Sequence, residues 1–591
     1  GTMALVMLIV SIVLVIGGYQ IYSKKVDREI IQADPKRATP ATLYNDGVDF
    51  MPASASVLFG YQFKSIAALG PIVGPIVAVQ YGWLPAIIWI FLGVLFIGWV
   101  QDYGSAMLAM RNDGMTMGGL SYRFISPRAR GLLLSFLYIY LLLIMGAFGA
   151  LIAPILAKPI APVGFIILVI AGVLAGQMTY RWKVDLMVTT VVTVLLALAG
   201  IWFGTTAPAQ NFVKWINGLG PDPFIHRPLG YGDMSWANFF WAIVMLVFCY
   251  LGSVLPIWQF AQPVNYTSFW FVLLGLVGSM LGIVVAAFTG SVNTSFEIPA
   301  WITAWQPHLG PIWPILFVTI ACGAISGWHS LVSTSGTARQ LEKETDALPV
   351  GGGAMFMEGV LATLSTIFAA TFALSGKFYD PAQGYKLVKG AGGVFVYGMA
   401  HFMNVIGFPV DLGSAIGIVF LVVMALTVMQ LVLRFMRVAS AELLGDRIPA
   451  FKNPHFGTIV AELLTLFIIV FGFWQWIWVL FGGSNQVFAG IALLLLSIWL
   501  ASEGRAYNWT FIPGIFMYIT TLAALLYVTV YNALWKGVVQ SWGQGNTGFI
   551  IGNLISAAFG LYMVIAALML LLDGLKAFNK AKAGQLATTG D

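Results

Sequence analysis

Long apolar runs return along almost the whole chain, and they constrain its fold more than any other feature. A helix needs about 20 apolar residues to cross a bilayer. Runs of that order cover 3–22, 63–80, 83–108, 130–155, 163–179, 184–204, 237–260, 267–289, 312–335, 354–376, 412–437, 456–481, 484–502, 510–532 and 549–573. Only 9% of the residues are Asp, Glu, Lys or Arg, against about 25% in soluble globular domains. A soluble chain of 591 residues could not hide this much apolar surface. A disordered or nucleic-acid-wrapping chain would be far more charged, so no nucleic-acid partner is expected. A transmembrane barrel would show short alternating strands instead. The chain therefore reads as an all-α polytopic membrane protein in a lipid bilayer, with about 15 transmembrane helices. Cys249 and Cys322 both lie in apolar runs and imply no disulfide framework.

Charge sets the orientation. Gly1-Thr2 ahead of Met3 reads as a cloning remnant. No Lys or Arg precedes the first run, while Lys24, Lys25 and Arg28 follow it, the reverse of a signal peptide. The positive-inside rule then puts the N-terminus outside and the C-terminus inside. With that start, all 29 Lys and Arg fall on the inner side except Lys158, Lys214, Arg227, Lys377, Lys386, Lys389 and Lys536. The apolar stretch 391–408 would break this pattern if it crossed, because Arg434, Arg437, Arg447 and Lys452 would move outside. It is read as a re-entrant or interfacial helix on the outer side, turning at "GFPVDLG" (407–413); the alternative is a sixteenth span.

The middle of the chain divides in two. Five runs from 63 to 204 and five from 237 to 437 flank the loop 205–236, and an odd number per unit inverts the second unit. The first run of each unit carries helix breakers. They are Gly70-Pro71 and Gly74-Pro75 in "IAALGPIVGPIVA" (66–78), and Gly252, Ser253 and Pro256 in "YLGSVLPIWQ" (250–259). Proline removes a backbone donor and clashes with the preceding turn. Broken helices in corresponding positions point to a transport site, since freed backbone groups bind carboxylates or cations; two ordinary proline kinks are the other reading. The expected organisation is an extra helix (1–22), a cytoplasmic loop (23–62), a ten-helix 5+5 inverted-repeat core (63–437, as 63–204 and 237–437), a four-helix domain (456–573) and a cytoplasmic tail (574–591). This arrangement resembles the amino acid–polyamine–organocation transporters with the leucine-transporter fold.

Longer strings resemble one family closely: "SIAALGPIVGPIVAVQYGWLP" (65–85), "GWVQDYGSAMLAMRNDG" (98–114), "YLGSVLPIWQFAQPVNYTSF" (250–269), "CGAISGWHSLVSTSGTARQL" (322–341), "GGGAMFMEG" (351–359) and "GGSNQVFAGIALL" (482–494). The chain is similar here to the carbon starvation protein A family of peptide transporters. The resemblance implies an importer of small peptides or pyruvate. Members carry a His-His pair where Tyr61 and Gln62 stand, and an Asp where Gln430 stands. A transition-metal site between these positions is therefore not expected, since amides and neutral phenols are poor ligands.

The polar residues in apolar surroundings supply the remaining candidates. Asp102, in "QDYGS", reads as a gate paired with Lys64 or Arg111, as a proton carrier, or as an interfacial charge. Lys64 reads as snorkelling to water, and Glu358 as interfacial or, as the alternative, as a coupling residue. In "AISGWHSLVSTSG" (324–336), helical spacing puts Ser326, Ser330 and Ser333 or Thr334 on one face. Such hydroxyls bind Na⁺ with carbonyls, or they join helices. His329 reads as a proton carrier, a substrate donor or a packing residue. Asn485 and Gln486 read as a helix cap, and Glu297 as part of an outer loop.

The expected substrate site is Gly70, Pro71, Gly74, Gly252, Ser253, Ser326 and His329, and the expected ion-coupling residues are Ser330, Ser333, Thr334 and Asp102. No HExxH, CxxC or GxSxG stands in a convincing context, and Gly351–Gly353 is no phosphate loop. The expectation is a secondary active importer and not an enzyme. It uses no metal and no cofactor apart from Na⁺ or H⁺ as coupling ion, with Na⁺ favoured. The alternative is a transporter-like sensor without flux.

Overall fold

The structure is a computed structural model that describes residues 2–227 and 232–584. Gly1, residues 228–231 of the expected outer loop and residues 585–591 of the expected tail lie outside the described residues. Among the described residues 13 helices are long and apolar enough to cross a membrane, or 14 when Ala55–Ile66 and Gly70–Tyr81, bent by 44°, are taken as one span. The remaining expected span, 312–335, is interrupted: Ile312–Thr319 is helical, the helix resumes at Gly327–Leu331, and the residues between carry no helix.

Burial sorts the helices into an inner set and a lipid-facing set. The apolar windows of Glu344–Phe372 and Val410–Leu444 are each 89% buried, whereas those of Met3–Ile31 and Leu186–Gly204 are only 22% and 28% buried. The outer helices present Ile9, Val13, Ile16, Val191 and Leu195, which suits lipid contact. Helix ends follow local chemistry. Ser54 and Ser126 cap the helices that start at Ala55 and Pro127, and Asp185 accepts from the amides of Met187 and Val188 at 3.2 and 3.4 Å. Pro454–Phe471 stops at Gly472, whose φ of 78° is the left-handed conformation that glycine adopts freely. That stop ends the expected 456–481 run ten residues early.

One expected boundary changes, and the stretch 391–408 forms a short helix. The first helix runs on through Lys24, Lys25 and Arg28 to Ile31, so the connection after it begins later than residue 23. Ala391–Val405 has 15 residues, about 22 Å of helix, too short to cross a core of about 30 Å. It reverses at Ile406–Pro409 into Val410–Leu444, where the sequence places the turn. Three small antiparallel ribbons, joining Ile225–His226 to Asp233–Met234, Trp305–Gln306 to Gly310–Pro311 and Tyr379–Asp380 to Lys386–Leu387, close the connections 205–236, 290–311 and 373–390.

The second predicted helix break is not where the prolines place it. Trp236–Val254 is helical through Gly252 and Ser253, and Pro256 lies beyond its end. The carbonyls left over at that end are taken by two arginines. Arg434, 1% exposed, donates to the carbonyls of Gly252 (3.1 Å) and Leu255 (2.7 Å), and Arg437 to that of Ser253 (3.1 Å). Arg434 also grips Asp49 Oδ1 at 2.5 and 3.1 Å. This ties the turn at Asp46–Phe50 to the helix end.

Although burial alone would raise it, the Arg434 and Arg437 guanidiniums hold the Asp49 carboxyl down at about 2, below the usual value of about 3.9. A depressed pKa contributes stability above the unfolded value, and that stability is lost as pH falls through the folded one. The tie is thus complete above about pH 4 and weakens toward about pH 2. Asp49→Asn should cost about 2 kcal/mol near neutrality. Thermal unfolding of the purified protein checks this: the gap between the two proteins should narrow on acidification, and a gap that widens there contradicts the assignment.

Candidate functional site: two facing helix breaks

The first break lies in the Ala55–Tyr81 segment. The helix stops at Ile66, Ala67 turns to φ −86° and ψ 98°, and the chain becomes helical again at Gly70. Pro71 sits in the first turn of the second half, where its missing N–H costs nothing, while Pro75 removes one donor inside it. The backbone groups freed at the break need partners away from water. Lys64, expected to reach water, is fully buried instead and donates to the carbonyls of Ala67 (3.0 Å) and Met424 (3.4 Å).

The second break is the interrupted stretch before Gly327, and side chains from distant helices hold it open. Gln101 donates to the Ser326 carbonyl at 2.8 Å. Gln486 donates to those of Phe317 and Ile320, each at 3.3 Å, and Asn485 to that of Ala321 at 3.3 Å. Asn485 Oδ1 accepts from the Ser326 hydroxyl (3.0 Å), from the Trp328 amide (3.1 Å) and from Tyr140. Asn485 and Gln486 thus lie within the Phe481–Ser502 helix and brace an unwound strand, rather than capping a helix as expected.

The two breaks face each other. A Cβ on Gly74 would lie 2.8 Å from the Thr319 carbonyl oxygen and 3.1 Å from Ile320 Cα. The Trp328 indole donates to the Ser65 carbonyl at 2.7 Å. Between the breaks opens a cavity of about 330 Å³. Leu69, Gly70, Val73 and Gly74 form one wall and Thr319 and Ala321 another; Phe148, Phe481, Gly482 and Gly483 close the side, and His308 and Asn532 also line it.

Among the expected substrate residues, Gly70 and Gly74 reach this cavity. Pro71 lies in the same turn, with its Cα near the position a Cβ on Gly323 would take. Ser326 and His329 lie behind the cavity wall in the fully buried layer. Gly252 and Ser253 are not brought there: their carbonyls are held by arginines, and the Ser253 hydroxyl bonds Thr458 at 2.8 Å.

Behind the second break three ionisable side chains meet, all fully buried. His329 Nδ1 lies 2.9 and 3.2 Å from the two Asp102 carboxylate oxygens. His329 Nε2 lies 3.0 Å from Glu358 Oε2, without the alignment of a hydrogen bond. Asp102 therefore pairs with neither expected cation: Arg111 is bound to Glu344 at 3.1 and 3.2 Å, and Lys64 to carbonyls. Glu358 belongs to this cluster and not to an interface. An ionisable residue inside a span was the signal that could have found it.

The expected hydroxyl face is divided. Ser330 and Thr334 donate to the carbonyls of Gly327 and Ser330, both at 2.7 Å, while Ser333 accepts from Gln62 at 3.2 Å. The helix widens to π geometry at Val332–Gly336, which changes the spacing the sequence implied. Gln62 also accepts from Thr337, and Gln430 donates to Asn265 at 3.2 Å, which donates to Ser65 at 2.8 Å. These amides join helices by hydrogen bonds. Glu297 accepts from the amides of Leu374 and Ser375, both at 2.7 Å, and so braces a loop.

The sequence profile of the family described as Carbon starvation protein CstA matches residues 3–383 and 381–524. The chain belongs to this family. Among its relatives, the peptide transporter CstA of Campylobacter jejuni is 28% identical, over 94% of this chain and 82% of the relative. The pyruvate/proton symporter BtsT of Escherichia coli K12 is 27% identical, over 88% of this chain and 81% of the relative. A manganese transporter of Eremococcus coleocola aligns in structure over 90% of this chain and 99% of its own, with 14% identity and a TM-score of 0.40. The CstA-family chain is thus a multi-pass membrane protein whose named relatives are transporters.

Proposed function

We propose that this chain is a proton-coupled importer of a small carboxylate-bearing nutrient, a 2-oxo acid such as pyruvate or a short peptide. In this reading it sits in a bacterial inner membrane with its N-terminus outside and its C-terminus inside. The cavity walled by both helix breaks carries the reading. Broken backbone at membrane depth is tolerated where it lines a site, and half-helix N-termini favour anionic groups. The Gly70–Ala78 half-helix begins on the cavity wall and supplies such an end for the carboxylate. A volume of about 330 Å³ favours a solute of a few heavy-atom groups over a long peptide.

The proton is favoured over Na⁺ for two reasons. The hydroxyls of Ser330 and Thr334 are already turned to their own helix, and the E. coli relative is named a proton symporter. Asp102, His329 and Glu358 are buried ionisable groups in contact with one another beside the second break, and the coupling step belongs to them. Protein reconstituted in liposomes provides the test. With an inward pH gradient and no Na⁺, labelled pyruvate or a labelled dipeptide should accumulate above its external concentration. Asp102→Asn should abolish the dependence on that gradient. Uptake that needs Na⁺ and ignores the pH gradient would overturn the coupling assignment, and no uptake above protein-free vesicles under either gradient would overturn the transport reading.

A further inference from the structure

We propose that Cys322, His329 and Glu358 form a buried binding site for a thiophilic divalent metal ion of the Zn²⁺ or Cd²⁺ class. The three side chains come from two separate stretches of chain, and one ligand atom from each lies within 4.8 Å of the other two. None is exposed by more than 3%. The imidazole is oriented for ligation. Asp102 holds Nδ1 at 2.9 and 3.2 Å, which fixes the ring and turns Nε2 toward Glu358, the carboxylate–histidine–metal arrangement of many metal centres.

Glu358 Oε2 and His329 Nε2 lie 3.0 Å apart without an aligned hydrogen bond, and Glu358 Oε1 makes no hydrogen bond among the described residues. A buried carboxylate without hydrogen bonds is costly, and a dication between a thiolate and a carboxylate balances both charges. The Cys322 thiol makes long contacts with the Ser326 hydroxyl at 3.5 Å and the Asn485 amide at 3.9 Å. A thiolate–imidazole–carboxylate set selects soft or borderline ions over Na⁺ or Mg²⁺, and three protein ligands leave a fourth position open. Ala321, next to Cys322, lines the cavity. The expectation from the sequence was no metal site at all, argued from Tyr61, Gln62 and Gln430, and this proposal departs from it. This cluster is a different place, invisible in sequence because Glu358 joins it from another helix.

Binding does not depend on the transport reading. Its consequence does: a metal on His329 and Glu358 removes groups assigned to the coupling step, so Zn²⁺ should inhibit uptake. The direct experiment uses Co²⁺ alone with the full-length protein in detergent, read by its thiolate-to-cobalt absorption. The wild type should bind one equivalent with a thiolate band that Zn²⁺ bleaches. Cys322→Ser should lose the band, and Cys249→Ser should keep it. His329→Ala and Glu358→Gln should weaken binding more than about tenfold. Asp102→Asn should weaken binding by about ten- to a hundredfold while leaving the band's shape unchanged, since it acts through the ring. No thiolate band in the wild type, or a band that survives Cys322→Ser, overturns the proposal. A cobalt band from protein that moves no solute would leave the site standing and sink the transport reading alone.

Discussion

Liposomes carrying Gly74→Leu should take up labelled pyruvate or dipeptide at least about a hundredfold more slowly than wild type, a rise of about 3 kcal/mol or more in the transport barrier. The reason is backbone meeting backbone. A Cβ at residue 74 would sit 2.8 Å from the Thr319 carbonyl oxygen and 3.1 Å from Ile320 Cα. No rotamer change relieves that contact, so the two breaks must part and the cavity between them must change shape. Gly70→Ala should also slow uptake, because its Cβ would lie 2.5 Å from Cys322 Cβ, an atom that no rotamer change moves. Gly252→Leu presses on Gln430, whose Cβ and Oε1 both lie 2.5 Å away. Its expected damage is to helix packing and thermal stability. Gly393→Ala faces open space and should transport as wild type. The rates, normalised to inserted protein, test this order. Wild-type uptake by Gly74→Leu would place the substrate route elsewhere.

The contrast between Gly74 and Gly252 shows what the sequence could and could not reveal. Membrane helices are legible because apolar length is a local property, and almost every long run found in the sequence is a helix. The first break is legible for a similar reason: Pro71 suits the first turn of a helix and not its middle, and the chain breaks just ahead of Gly70-Pro71, although Gly74-Pro75 stays inside the new helix. The second break is not. "IACGAIS" (320–326) has no proline and reads as ordinary membrane helix. It is unwound by partners that are remote in sequence, Gln101, Asn485 and Gln486. The proline that drew attention to 250–259 instead follows a normal helix end whose carbonyls two arginines satisfy. The charged cluster was half legible. Asp102 and His329 stand out as ionisable residues in apolar runs, but only the fold shows that they touch and that Glu358 completes the set.

Asn485 should therefore matter more than its place in an unremarkable "GGSNQ" string suggests. Asn485→Ala should lower the stability of the purified protein by about 3 kcal/mol, at the upper end for a lost buried hydrogen-bonding group. The side chain is fully buried, and one oxygen accepts from Ser326, Trp328 and Tyr140 while its nitrogen donates to Ala321. Truncation leaves an amide N–H, two hydroxyls and a carbonyl facing a small apolar gap. Each unsatisfied buried group costs about 1–3 kcal/mol, and relaxation or an entering water recovers part of that sum. The damage should be local before it is global. The Trp328 amide should lose hydrogen-exchange protection under conditions in which the Val410–Leu444 helix keeps it, because the bond from Trp328 to Asn485 is one of those that hold the unwound strand in place. Gln486→Ala, which removes two longer bonds at 3.3 Å, should show the same pattern at smaller size. A thermal midpoint for Asn485→Ala equal to that of wild type, with unchanged exchange at Trp328, would mean that the break is set by the backbone around it and not by this side chain.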